Sequence, residues 1–571
     1  MTNLIERSAA AYSCPLLIKH LLETALARAP KQEIVYRSQA RLTYGDLRER
    51  VGRLASGLAK LGVRPGQTVA VMDFDSHRYL ECFFAVPMMG ATLHTINVRL
   101  SPEQILYTIN HARDDIILVN SEFAPILEQI WARVEGVKSL IWIDDAGGAA
   151  KTSLPFAAEY ETLLAAADPH YVFPDFHEDT RATTFYTTGT TGLPKGVYFS
   201  HRQLALHTLA LRNAITGTGH GRLNDGDVYM PVTPMFHVHA WGFPYVATTL
   251  GLKQVYPGKY SPDLVLDLIA REKVTFSHCV PTILQMILAH PKSKEGILQG
   301  WKVIVGGAAL PRALAKEAMQ HGIDITTGYG MSETCPVLTL AHLRSEDEAW
   351  DVDRQVEVRI KAGRPIPMVD LRVVDPDMRD VPRDGATPGE IVARAPWLTQ
   401  GYLRDPANSE KLWLGGWLHT GDIGVIGPDG YLKITDRLKD VIKTGGEWVS
   451  SLDIEDLILK HPGVGEAAVI GIPDPKWTER PLAVVVLKPG CSVSDCEIKA
   501  ALQDYASKGV ISRYAVPDQV VFASALPRTS VGKLDKKLLR EQFRDYRAAP
   551  TTTGLSPAVR PAPAEAHAQQ S

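Results

Sequence analysis

No stretch of this 571-residue chain approaches about 18 uninterrupted apolar residues, so the sequence predicts no transmembrane helix. Cysteine is scarce and scattered. Of six, only Cys491 and Cys496 lie close together, with no Cys/His pair beside them, so neither a zinc site nor a disulfide framework is expected. Excess charge of one sign is also missing. The net charge is −3, which removes nucleic-acid binding as a principal role and requires any acidic ligand to be met by local cations. The start, MTNLIERSAAAYSCPLL, lacks a basic region leading into an apolar run, so it does not read as a secretory leader. Internal repeats are absent. These absences together suggest a cytoplasmic protein, with peripheral membrane contact and a homodimer both left open.

What is present is an α/β pattern too long for one core. Leu42 to Leu61 carries Leu47, Val51, Leu54, Leu58 and Leu61 at helical spacing, with Thr43 placed to cap the helix. Helix then strand recurs over the next few hundred residues, as in PEQILYTINHARDDIILVN, which argues for layered α/β structure with a largely parallel sheet. From Asp370 the texture changes to short strands such as LRVVD, GEIVARA, YLKITDR and AAVIGIP, which suggests more antiparallel sheet. A short amphipathic helix is read over Asp453 to His461. A boundary falls near Asp436 to Lys439, giving a large N-terminal domain over 1–436 and a small α+β domain over 437–547. Residues 548–571 are Pro, Ala, Thr and Gln with almost no large apolar side chains, and are expected to be a disordered tail.

One loop departs from both patterns. Thr187 to Gly196 reads TTGTTGLPKG, after a strand and before a second strand and a helix that begins near Ser200. Its glycines let backbone approach an anion, its hydroxyls can donate to phosphate oxygens or touch Mg²⁺, and Lys195 supplies a fixed charge. It is not the Walker loop, which needs glycine immediately before the lysine and Ser or Thr after it; here Pro194 precedes and Gly196 follows.

Four further segments follow in order: TGYGMSETCP (Thr327 to Pro336), LHTGDIG (Leu418 to Gly424), DRLKDVIKTGG (Asp436 to Gly446) and LPRTSVGK (Leu526 to Lys533). In this order and at these separations the five closely resemble the adenylate-forming superfamily of acyl-CoA synthetases, luciferases and nonribosomal adenylation domains. The resemblance spans essentially all of the chain but its tail. It implies a large α/β N-terminal domain with a small mobile C-terminal domain. It also implies a two-step reaction, in which a carboxylate attacks the α-phosphate of Mg·ATP and the thiol of coenzyme A then displaces AMP.

The same resemblance assigns roles. Thr187, Thr188, Gly189, Thr190, Thr191, Gly192 and Lys195 would cradle the β- and γ-phosphates, with Thr188 also near the metal. Gly307, Ala308 and Ala309 would line the adenine, Tyr329 would stack on it beside Gly330, and Ser332 would donate to the α-phosphate. Glu333 is the expected Mg²⁺ ligand, a hard oxygen donor for a hard cation. Asp422 would accept from the ribose hydroxyls, helped by Arg437. Lys533 would bridge the α-phosphate and the attacking carboxylate as charge develops, and its acetylation would remove that charge. Lys439 would be the hinge of a domain rotation that brings Lys443, Gly445, Gly446 and Trp448 to the pantetheine arm.

PMFHVHAWG (Pro234 to Gly242) matches the family's gate between carboxylate and nucleotide, with His237 the expected gate and His239 the alternative. Trp241, Cys279, Gly306 and Met331 would form an apolar acyl slot. GGEWVSSLDIE (Gly445 to Glu455) looks most like medium-chain fatty acyl-CoA ligases and 3-methylmercaptopropionate-CoA ligases. Long-chain and aryl-acid ligases are the alternatives within the class. A luciferase-like oxidoreductase and a non-catalytic nucleotide-binding protein are those outside it.

Overall fold

A computed structural model describes residues 3, 5–145, 152–187, 193–216, 222–444, 447–474, 476–528 and 534–544. The side chains of Glu447 and Trp448 are not among what it describes. Five sequence expectations therefore lie outside the described residues: the loop core Thr188 to Gly192, the pair Gly445 and Gly446, the Trp448 side chain, Lys533, and the tail over 548–571.

The chain forms two compact units. The first takes Met1–Arg372, Val392–Thr420 and Gly427–Leu432; the second takes Val373–Ile391, Gly421–Ile426 and Lys433–Ser571. The chain thus enters the second unit twice before it stays there.

The first unit holds two large sheets. One has seven strands, in the order Phe156–Glu159, Ser139–Ile143, Ile116–Asn120, Thr68–Met72, Thr92–Thr95, Arg181–Thr187 and Lys195–Ser200. Every neighbouring pair is parallel except the last, an antiparallel pair that closes across the glycine-rich loop with Thr187 opposite Lys195. The other has nine strands, and six in a row are parallel: Asp324–Gly330, Lys302–Val305, Phe276–Cys279, Val228–Pro231, Lys253–Tyr256 and Glu33–Tyr36. The parallel strands read IILVN and KVIV because both faces are covered and no polar side is needed.

Helix starts follow from local chemistry. Thr43 caps Tyr44–Lys60 in a reciprocal box with Asp46, and Ser200 caps His201–Ile215 in another with Gln203. Each box satisfies backbone N–H groups that the first turn leaves without a partner. In the second unit, Val464–Asp474 and Thr478–Leu487 form a long antiparallel pair, with Gln519–Phe522 added in parallel to the latter. The helix expected from Asp453 begins instead at Ser451, because Ser450 accepts from Asp453 N–H and becomes the cap. Its other end is Leu459.

Candidate active site

In open α/β sheets, ligands gather beyond the carboxyl ends of the parallel strands. Four adjacent strands of the nine-stranded sheet end in the expected site segments. Val228–Pro231 leads into the gate segment, Phe276–Cys279 ends at Cys279, Lys302–Val305 runs into Gly306, and Asp324–Gly330 ends in Tyr329 and Gly330.

The gate segment has an unusual backbone. Val238, His239, Ala240, Trp241 and Gly242 are all left-handed, with φ between 48° and 77°. Such a backbone costs an L-residue roughly 1–2 kcal/mol. Burial offsets part of this, since Val238, Ala240 and Trp241 are all buried. Two anchors hold the approach: Met235 N–H donates to Asp75 Oδ1 at 2.7 Å, and Thr95 Oγ1 donates to the Phe236 carbonyl at 3.1 Å. His237 is half-buried immediately before the left-handed run. His239 is fully buried among the rings of Phe83, Phe185, Phe199 and Tyr245, and burial pushes its imidazole down to about 3. His239 is therefore a neutral core histidine.

Asp75 is itself buried, and that burial raises its carboxyl from the usual range to about 7. Its neighbour Asp73, held by Ser76 and Asn120, is raised to about 6 for the same reason. The fold keeps these protons at pH values where the unfolded chain releases them, so stability falls as pH rises from about 4 toward 7. Asp75→Asn retains an acceptor for Met235. It should raise the melting temperature at pH 8 and flatten that slope, leaving the part due to Asp73. Thermal melts across pH check this, and an unchanged slope would refute it.

Trp241 meets the next strands directly. Its ring lies 5.1 Å from that of His278, and a Cβ on Gly306 would come within 3.1 Å of it. Gly306 N–H donates to the Cys279 carbonyl at 3.1 Å, and burial pushes the Cys279 thiol up to about 12, so it stays protonated. Gly307, Ala308 and Ala309 are exposed, and Gly307 has φ +80°, where a glycine is favoured.

After Tyr329, Gly330 sits against backbone: an added Cβ would lie 1.8 Å from the Pro336 carbonyl oxygen. Met331 N–H donates to Thr334 Oγ1 at 3.0 Å, which starts the short 3₁₀ turn Ser332–Thr334. That turn buries Glu333, while Tyr329, Met331 and Ser332 stay half-buried.

Glu333 is joined to the glycine-rich loop by a residue the sequence reading did not single out. Tyr402 donates its phenol to Glu333 Oε1 at 2.7 Å, and its ring lies 4.6 Å from Lys195 Nζ. Tyr402 and Glu333 are 69 positions apart, and no spacing rule connects them. A cavity of about 200 Å³ opens between Lys195, Tyr402, His111, Tyr107 and Asp405.

The second unit carries its own set. Arg437 Nε lies 3.3 Å from Asp422 Oδ1, so the two expected ribose residues are brought together. Lys439 is exposed, and partial desolvation together with the nearby Arg437 lowers its ammonium. Lys443 is exposed, and its N–H donates to Glu479. Residues Arg528 and Leu534, which bracket the SVGK loop, are bridged. Lys536 is buried against Glu455 at 2.7 Å and Ser451 at 2.6 Å, fixing the chain just beyond that loop.

Comparison with known proteins gives this arrangement its family. Residues 22–403 match the AMP-binding enzyme profile, and 453–533 match the AMP-binding enzyme C-terminal domain. A long-chain-fatty-acid–CoA ligase of Thermus thermophilus is 41% identical over 92% of this chain and 95% of its own. A 3-methylmercaptopropionyl-CoA ligase of Ruegeria lacuscaerulensis is 37% identical over 93% and 98%. A medium-chain-fatty-acid–CoA ligase of Ectopseudomonas oleovorans is 35% identical over 93% and 96%. Among solved structures, the anthranilate CoA ligase AuaEII with anthranoyl-AMP superposes with a TM-score of 0.80 at 25% identity, over 93% of this chain and 98% of its own. ATP-bound MatB from Rhodopseudomonas palustris does so at 0.79 and 27%, over 93% and 99%. With both family profiles matched over most of the chain and relatives matched along nearly their whole length, this chain belongs to the AMP-binding enzymes and is an AMP-forming acyl-CoA ligase.

Proposed function

We propose that the enzyme activates medium-chain fatty acids or 3-methylmercaptopropionate. The carboxylate attacks the α-phosphorus of ATP, forming acyl-AMP and releasing pyrophosphate. The thiol of coenzyme A then attacks the acyl carbon and AMP leaves with the electron pair. The observation that carries the chain-length reading is Trp241, whose ring meets Gly306 beside His278 and would close the end of the acyl slot. Relatives acting on medium-chain acids and on 3-methylmercaptopropionate support it, and the 41% identical relative supports the long-chain alternative.

In this proposal the residues divide by task. Lys195 and Thr187 to Gly192 hold the β- and γ-phosphates, and Ser332 donates to the α-phosphate. Tyr329, Gly330 and Gly307 to Ala309 hold the adenine, and Asp422 and Arg437 the ribose. A Mg²⁺ ion arriving with ATP would neutralise phosphate charge; the carboxylate of Glu333, a hard donor buried beside a phenol, fits it, with Thr188 as second ligand. His237 separates carboxylate from nucleotide, and Trp241, Cys279, Gly306 and Met331 line the acyl chain. Lys533 stabilises the adenylation transition state. Lys439 is the pivot of a division near 436, and Lys443, Gly445, Gly446 and Trp448 serve coenzyme A.

Trp241→Ala tests the pocket's depth. With acids from acetate to palmitate, 3-methylmercaptopropionate and benzoate, the wild type should peak at medium chain or the thioether acid. The variant should move the optimum to longer acids, with kcat/KM for the original optimum lower by about 10- to 100-fold. An optimum at long chain in the wild type, unmoved by Trp241→Ala, would support the long-chain reading instead.

A further inference from the structure

Glu333 and Lys195 stand far apart in sequence, and residues 399 to 403 lace their two segments together. Thr399 N–H donates to the Glu333 carbonyl at 3.0 Å, and Thr399 Oγ1 to the Tyr198 carbonyl at 2.9 Å. Leu403 N–H donates to the Gly196 carbonyl at 2.8 Å, and Tyr402 forms an antiparallel bridge with Val197. Tyr402 N–H donates to Ser409 Oγ at 2.8 Å. Packing at this seam is close: a Cβ on Gly196 would meet Leu403 Cβ at 3.0 Å and the Tyr186 ring at 3.2 Å.

Tyr402 is thereby held by its backbone, and its side chain is free to serve two groups at once. The phenol reaches Glu333 Oε1 at 2.7 Å, and the ring lies 4.6 Å from the Lys195 ammonium. The phenol O–H is the donor of that bond and the Glu333 carboxylate the acceptor. A hydrogen bond to one carboxylate oxygen fixes the plane in which the group offers its remaining lone pairs.

We propose that Tyr402 is a positioning residue for ATP activation: its phenol orients the Glu333 carboxylate for the divalent cation that accompanies ATP, and its ring seats the Lys195 ammonium, so that cation and phosphate sites are set by one side chain. The proposal rests on the assignment of Glu333 and Lys195 made above, and goes beyond it by naming what couples them.

Tyr402→Phe removes the phenol and keeps the ring; Tyr402→Met removes both and keeps an apolar filler. Mn²⁺ binding in the presence of a non-hydrolysable ATP analogue, read by electron paramagnetic resonance, reports the cation site. Calorimetric binding of metal-free ATP and of AMP reports the rest, and thermal melts report folding. Tyr402→Phe should weaken Mn²⁺ roughly tenfold, with metal-free ATP and AMP within about twofold of wild type. Added Mg²⁺ should then restore pyrophosphate formation. Tyr402→Met should also weaken metal-free ATP severalfold, and Lys195→Ala should add nothing in that background. Wild-type Mn²⁺ affinity in Tyr402→Phe, or equal loss of Mn²⁺, AMP and melting temperature, would overturn the proposal. If Tyr402→Phe did not fold, Tyr402→Met would decide it by the same Mn²⁺ measurement. A wild type that binds Mn²⁺ with the analogue but turns over no acid would sink the acyl-activation reading while leaving Tyr402 to be judged on the variants. A wild type that binds no Mn²⁺ with the analogue would overturn the Tyr402 proposal directly.

Discussion

Gly330→Ala should abolish adenylation, with a loss of roughly 100-fold or more, and should also lower the melting temperature. The added methyl would sit 1.8 Å from the Pro336 carbonyl oxygen and 2.6 Å from its carbon. Both are backbone atoms, so no rotamer change relieves the clash, and either the strand end or the Met331 to Pro336 turn must move. That turn carries Glu333, so the displacement falls on the proposed cation ligand and on the phenol bonded to it. Misplacing a reacting group by about 1 Å is enough for a loss near 100-fold. Gly45→Ala is the matched control. Its methyl would meet only Thr43 Oγ1 at 3.4 Å and Pro30 O at 3.5 Å, at ordinary contact, in a helix's first turn. It should leave activity unchanged and stability equal or slightly higher. ATP–pyrophosphate exchange and thermal melts read both variants. Near-normal exchange in Gly330→Ala would mean that the turn yields without moving Glu333.

The second large effect is expected at Lys533. As the one strong cation of the SVGK segment, placed by resemblance between α-phosphate and carboxylate, it is proposed to act where charge develops in the transition state. Removing such a group typically costs 10²- to 10³-fold. Lys533→Ala should lose about that much in acyl-adenylate formation and keep thioester formation from supplied acyl-AMP within about threefold. The bridge between Arg528 and Leu534 and the buried Lys536–Glu455 pair hold the flanking chain, and thermal melts check that the variant folds. Equal loss of both half-reactions would contradict the assignment.

Much of this was legible in the sequence because its causes are local. Thr43 and Ser200 declare helix starts through hydroxyls that satisfy nearby N–H groups, and the box partners Asp46 and Gln203 stand three residues on. The α/β alternation carried the fold class, and five ordered motifs carried the family. What stayed hidden depends on contacts between distant residues. Nothing in VHAW predicts a left-handed run, since Val and Trp disfavour it; burial and the Asp75 and Thr95 anchors, from elsewhere in the chain, hold the approach. Tyr402 is an ordinary aromatic until the fold sets it against Glu333. The chain's two early visits to the second unit, over Val373–Ile391 and Gly421–Ile426, have no compositional mark sharper than the change of texture after Asp370.

The central claim is that acid, ATP and coenzyme A become thioester, AMP and pyrophosphate in one cycle. The most direct measurement follows all three products at once over the acid panel, with and without coenzyme A. The account predicts equal amounts of AMP, pyrophosphate and thioester with a medium-chain acid or 3-methylmercaptopropionate. Without coenzyme A, pyrophosphate should stop near one equivalent per enzyme as acyl-AMP stays bound. Release of ADP and phosphate, AMP formation coupled to oxygen consumption, or no turnover with any acid would contradict it.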